Sequence, residues 1–437
     1  MKTNHRAPCL FAAALLGLFA GLPALADLKI EITSGVTDPI PIAIVPFATP
    51  SGGDAPVDVA QVIQHDLEGS GRFRTLARSK MPGTPSAAGA VNAADWKSAG
   101  GDYVVVGRVS ALDDTQRAVD FDLVNTLTGQ RVGGQRFVGP PSVLRNAAHQ
   151  VSDVIYEKII GIRGAFSTRL AYVAVGGEAP TRQYQLVVAD ADGENQHVVF
   201  KSPFPLMSPA WSADGKWLAY VSFESKRPAV YVQLVSTGER RQVSARAGIN
   251  GAPAFSPDGT KLALTLSGSG GNPDIYILEL ATQNLTRLTD DPAIDTEPAW
   301  APDGHSIYFT SDRAGAPQIY KIGVQPGDKP KRITFEGNYN ARPRVSADGT
   351  KLAMVTQSGG GYHIAVLDFA SGNTRVLTRG RLDESPSFAP NGATILYSER
   401  DANHGALATI AVDGVSGLRL RAEQGEVQEP AWGPFNR

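Results

Sequence analysis

The chain has 437 residues, with 42% hydrophobic and 19% charged side chains, a balance that belongs to a folded protein rather than a disordered one. Its formal net charge is −2, and −4 once Lys2 and Arg6 are removed, which excludes a general binder of nucleic acid or anionic membrane. A chain of this length has room for two or three domains.

Residues 1–26 read as a secretory signal peptide. Lys2 and Arg6 supply a basic start, Leu10 to Leu22 an apolar core too short for a membrane span, and Ala24-Leu25-Ala26 a cleavage site. Asp27 is then the first mature residue. Cys9 precedes the apolar core, in the wrong place for lipid attachment. The mature chain is therefore expected to be free of disulfides, thiolate nucleophiles and cysteine-based metal sites. An exported, soluble protein is expected.

Residues 27–165 read as a small α/β domain. Leu28, Ile30 and Ile32 alternate with Lys29, Glu31 and Thr33, the period of a half-buried strand. A short apolar strand follows over Pro41 to Phe47. Val59, Val62, Ile63 and Leu67 then recur at helical spacing until Gly69-Ser70-Gly71 ends the helix. Residues 80–90 read as a loop, and Tyr103 to Val109, Ala118 to Leu127 and Arg131 to Val138 as strands. Val143 to Ile160 carries the longest amphipathic helical pattern. His65 and His149 stand alone on helices, without ligand spacing, and are expected at the surface.

From residue 166 to 437 one motif returns. Pro209, Pro253, Pro298, Pro343, Pro386 and Pro430 are spaced 44, 45, 45, 43 and 44 residues apart. The first five are followed by Asp214-Gly215, Asp258-Gly259, Asp303-Gly304, Asp348-Gly349 and Asn391-Gly392. That period suits a four-stranded propeller blade, and Asp-Gly between apolar runs signals a hairpin. Leu170 to Val173 looks like a second strand lacking a first, and Pro430-Ala431-Trp432 like a first strand lacking a blade. Joined, they close a six-bladed all-β propeller without free edges. The aromatics Trp211, Phe255, Trp300, Phe388 and Trp432 repeat in register, with Val345 as the exception, and read as core packing.

The Asp-Gly turns define one uniform face, and the variable loops entering each first strand define the other. Binding belongs on the variable face. Its ring-mouth residues are Thr296, Glu297, Asn340, Arg342, Asp383, Glu384, Gln428 and Glu429. Acidic side chains there (Glu297, Asp383, Glu384, Glu429) are compatible with a channel cation such as Ca2+, but solvated loop charges are the plainer reading. No other cofactor is expected. Asp190 to Asn195 is faintly like a calcium loop but reads as a hairpin turn. No Gly-x-Ser-x-Gly elbow, Walker A loop, His-Glu-x-x-His or dinucleotide fingerprint occurs.

Three stretches carry a resemblance: Phe200 to Ser222, Asn250 to Gly259 and Gly161 to Phe166, together with Asp27 to Gly35 and the two-part order. The whole mature chain resembles the TolB family of periplasmic Tol–Pal proteins. The resemblance implies a non-enzymatic partner-binding protein, monomeric on its own and attached to the envelope only through partners. It implies that the N-terminal strand (Asp27, Leu28, Lys29, Ile30, Glu31, Ile32, Thr33, Ser34, Gly35 and Val36) contacts inner-membrane TolA. It also implies that the loop face binds the lipoprotein Pal. There Ala252 and Thr296 match family contact positions, and Ile249, Asn250, Glu297, Asn340, Arg342, Asp383, Glu384, Gln428 and Glu429 complete the candidate set. Where members can carry histidine before the Asn-Gly-Ala run, this chain has Ile249. The alternative is a propeller-containing periplasmic serine peptidase, or the accessory domain of a hydrolase.

Overall fold

The structure is a computed structural model that describes residues 38–49, 57–177, 182–268, 271–325, 327–400, 405–421 and 426–436. Residues 1–37 lie outside the described residues, and with them the alternating N-terminal segment Asp27 to Val36.

The N-terminal part is one mixed sheet packed under helices. Its strands are β1 (Ile40–Ile44), β2 (Phe73–Thr75), β3 (Tyr103–Ala111), β4 (Arg117–Asn125) and β5 (Arg131–Gly139), in the spatial order β2-β1-β3-β4-β5. Strand β1 is parallel to both its neighbours, β2 and β3, and the rest of the sheet is antiparallel. Helices α1 (Val59–Gly69) and α3 (Leu144–Ile160) bury Val59, Ile63, Leu67, Ala148, Val151 and Ile155 against one face. A short helix α2 (Ala93–Ser98) covers the other face through Trp96, which is buried among Ala43, Val45, Val104 and Val106. Asp58 caps α1 by accepting from the Gln61 amide, and Gly161 ends α3 with φ of 85°. Neither α2 nor β2 is legible in the sequence. Six and three residues are too few for a period to declare itself.

The C-terminal part consists of antiparallel meanders. There are four separate four-stranded sheets and one larger sheet in which two meanders share a single parallel bridge at Tyr362↔Leu382. Each proline of the repeat sits in the strand at one end of its meander: Leu206–Trp211, Asn250–Phe255, Asp295–Trp300, Asn340–Val345, Leu382–Phe388 and Glu426–Trp432. These six strands line one central cavity, so they are the innermost strands of a β-propeller. The last of them pairs with β6 (Arg169–Gly176), through Trp432↔Leu170 and Ala431↔Ala171. The C-terminal strand thus closes the ring by completing the first sheet.

Turn chemistry explains the regular face. At each Asp-Gly or Asn-Gly pair the glycine has φ between 66° and 71°, which L side chains adopt at a cost. Asp214, Asp258, Asp303, Asp348 and Asn391 each accept from the backbone N–H two residues on. Hydrogen bonds from Ser256 and the Thr260 amide hold the Asp258 carboxyl below its usual range. The tryptophans join neighbouring strands of the ring. Trp211 donates its indole N–H to the Ala431 carbonyl, and Trp300 to that of Ala254, both at 3.1 Å.

The α/β part packs on this turn face. The Asn391 amide donates to the Arg163 carbonyl at 3.1 Å, Arg72 pairs with Asp413, and Arg145 pairs with Asp190 and Asp192. Asp190 to Asn195 is the hairpin turn between β7 (Gln183–Asp190) and β8 (His197–Ser202), closed by the Asp190 amide on the Glu194 carbonyl.

Candidate partner-binding face and channel

The loops of the variable face are pinned from beneath by one position per repeat, three residues before the proline. Asn250, Asp295, Asn340 and Asp383 stand there, each at most 1% exposed. Asn250 accepts from Ser244 and the Arg246 amide and donates to the Arg246 carbonyl. Asn340 donates to Gln318 and the Glu336 carbonyl, and Asp383 accepts from the Gly380 amide. Buried polar groups require such partners. Asn250, Asn340 and Asp383 therefore shape the loops from below, with their side chains buried.

The next position inward carries strain. Ser208, Ala252, Glu297, Arg342, Ser385 and Glu429 immediately precede the prolines, and all have φ between 45° and 56°. Each innermost strand is bulged there, with register breaks such as Thr296/Ala299 and Ala341/Arg344. A bulge re-aims a side chain. Here it brings residues of different sheets together at the mouth of the channel. Arg342 Nε lies 3.2 Å from Glu297, its Nη1 lies 3.3 Å from Glu429, and the same nitrogen bonds Ser385. Glu297 also accepts from the Arg342 amide at 3.0 Å and from Thr310 at 2.8 Å. Burial opposes the Arg342 charge, but Glu429, Glu297 and Glu384 outweigh it and hold the guanidinium above its usual range. The expectation of a Ca2+ ion among these acids is thus not supported. The cation between Glu297 and Glu429 is Arg342 itself, and Asp383 lies elsewhere, beneath its loop. Gln428 accepts from Arg400 at 3.3 Å, toward the rim.

Around this mouth stands an arc of exposed apolar side chains. Ile249, Ile294 and Phe335 are 44%, 48% and 73% exposed on the loops leading into three successive innermost strands, and Met207 in another is 38% exposed. Ala252 and Thr296 are half-buried among them. Exposed apolar side chains grouped on one face mark an interaction surface. Ile294, Phe335 and Met207 were not picked out from the sequence. Their only signal was an apolar residue in a loop of the kind that carried Ile249.

A second constellation lies between the α/β part and the propeller, where His149 is 1% exposed rather than at the surface. Its Nδ1 lies 2.8 Å from Asp66, which also accepts from Ser152. Its Nε2 faces Asp190 and Asp192 at 3.7 and 3.9 Å. Burial works against the imidazolium, yet the surrounding carboxylates push its pKa up to about 10. Asp66, His149 and Asp192 have the spacing of a metal-ligand group. Arg145 and the charged imidazole already supply positive charge there. Lone placement on a helix gave no hint of this, because its partners come from a different helix and a distant hairpin.

Among the described residues, no helix is long and apolar enough to cross a membrane. Two family models match the chain: the TolB beta propeller domain over residues 156–436 and the TolB amino-terminal domain over residues 28–132. The Tol-Pal system protein TolB of Xanthomonas euvesicatoria is 45% identical over 434 residues, 98% of each chain, and that of Xylella fastidiosa is 44% identical over 429 residues, 97% of each. The crystal structure of TolB from Acinetobacter baumannii superposes with a TM-score of 0.84 at 43% identity, covering 91% of this chain and 97% of that one. The chain belongs to the TolB family of Tol-Pal system proteins.

Proposed function

We propose that this chain is a periplasmic interaction component that links inner-membrane TolA, through Asp27 to Val36, with the outer-membrane lipoprotein Pal, through the loop face of a six-bladed ring. In that role it supports outer-membrane integrity and constriction at cell division. Membership of the family makes it a non-enzymatic Tol-Pal component rather than a peptidase or hydrolase accessory domain.

The observation that carries the reading is the apolar arc of Ile249, Ile294 and Phe335 around a mouth where Arg342 pairs with Glu297 and Glu429. Such a surface offers desolvation-driven contacts, with the buried polar rows beneath keeping the loops rigid. It lies opposite the face on which the α/β part packs, so that part leaves the loop face uncovered. An alternating terminal segment suits strand addition to a partner's sheet edge, where backbone hydrogen bonds give affinity and alternate side chains specificity.

The experiment is a pull-down from envelope extract with the protein, with a variant lacking residues 27–35, and with Ile294→Asp and Phe335→Asp variants. Loss of the segment is expected to abolish TolA capture and spare Pal. The two aspartates should weaken Pal at least about tenfold, as charges in an apolar hot spot do, and leave TolA untouched. TolA capture that survives the deletion sinks the assignment.

A further inference from the structure

Below the Arg342 cluster the channel widens into a cavity of about 350 Å3. Its walls are the Pro-Ala-Trp segments, and its rim toward the turn face is formed by residues that lead into the Asp-Gly turns, such as Pro257 and Pro390. Trp211, Phe255, Trp300, Phe388 and Trp432 all line it. The aromatic repeat therefore packs the propeller and also furnishes a concave apolar surface. Of all the side chains lining this space, one is charged: Arg344.

Arg344 breaks the repeat. The residue after the proline is Ala210, Ala254, Ala299, Ser387 and Ala431 in the other five copies. The position after that is aromatic in those five copies and Val345 here, so one copy trades an aromatic wall for a guanidinium. Its Nη1 donates to the Pro343 carbonyl at 2.8 Å, and among the described residues no carboxylate lies within ion-pair distance. Arg342, two residues away, holds Glu297 and Glu429 by direct contact. Burial holds the Arg344 pKa below its usual value, because those acids act on it only from a distance.

We propose that this cavity is a binding site for a small carboxylate carried on an apolar, aromatic-sized body, with Arg344 taking the carboxylate and the indole and phenyl walls taking the body. The chemistry selects that class. A planar guanidinium fork matches a carboxylate in bidentate geometry. A mostly apolar pocket of this size with one convergent polar group is the usual form of a small-molecule site. Neutral ligands would leave the guanidinium desolvated and unmatched, and hydrophilic anions would leave the aromatic walls unused. The site is separate from the loop face, and its occupancy is independent of the partner reading.

The test is calorimetric titration of the tag-free protein with 3-phenylpropionate and with its neutral primary amide. Tryptophan emission, excited where the ligand does not absorb, locates binding to the cavity. One site with Kd below about 1 mM is expected for the acid, with a shift in emission and at least about tenfold weaker binding of the amide. Arg344→Gln should remove the preference for the acid, and Arg344→Lys should restore part of it. Because an unmatched, half-buried charge does not favour folding, Arg344→Met should leave Tm unchanged or raised. Absence of binding by the acid near 1 mM, equal binding of acid and amide, or a preference that survives Arg344→Gln overturns the proposal. The comparison of acid with amide on the unaltered protein decides the matter even if a variant folds poorly.

Discussion

Arg342 shows how one side chain can decide the electrostatics of a ring. It reaches Glu297 on one side and Glu429 on the other, in strands far apart in sequence. Replacing it by alanine leaves two half-buried acids facing a narrow mouth without a counter-charge. The expected loss is about 2–3 kcal/mol in urea unfolding, between the value of a charged hydrogen bond and that of a broken buried pair. Arg342→Lys should recover only part, since an ammonium cannot serve both carboxylates and Ser385 from one plane. An Arg342→Ala protein as stable as the parent would show the cluster to be ornamental. From the sequence, the four acids of the mouth are compatible with a cation site. Only the backbone turn at the residue before each proline reveals that the chain supplies its own cation.

At the scale of elements, the closing strand Glu426–Trp432 matters most. It supplies the missing partner of β6 and places Val427 and Trp432 against Leu170, Tyr172 and Leu396. Deleting residues 426–437 strips β6 of its neighbour and opens one edge of the ring. The expected result is a loss of more than about 4–5 kcal/mol, the range reserved for severe lesions, together with concentration-dependent aggregation through the exposed edge. Retention of the parent unfolding midpoint in denaturant would contradict closure. This element was legible in the sequence because its proline keeps the repeat period and Leu170 to Val173 reads as a second strand lacking a first. By contrast α2 was not, since its single buried anchor, Trp96, stands in a segment rich in alanine and short of pattern.

Across the whole molecule, the α/β part and the propeller meet through a buried ion network. His149 has a folded pKa of about 10, above its unfolded value of 6.5. Its stabilisation is therefore complete below pH 6.5 and is lost as the pH rises toward 10. Thermal unfolding followed from pH 6 to pH 10 should show a falling Tm in the parent and a flatter profile in His149→Gln. A parent profile as flat as that of the variant would remove His149 from the network.

The sequence by itself determined the repeat, the strand that closes it, the turn chemistry of the regular face and the family. The first three rest on local pattern, a period and an Asp-Gly pair, and the family on resemblance. Tertiary structure alone decided which named residues reach the surface. Asn250, Asn340 and Asp383 went under the loops, Arg342 filled the mouth, and His149 went from expected surface residue to buried partner of Asp66. For Arg342 and His149 the physical reason is that their environment is set by groups on other strands or helices, and a charge balance made by distant residues leaves no periodicity in the chain that makes it.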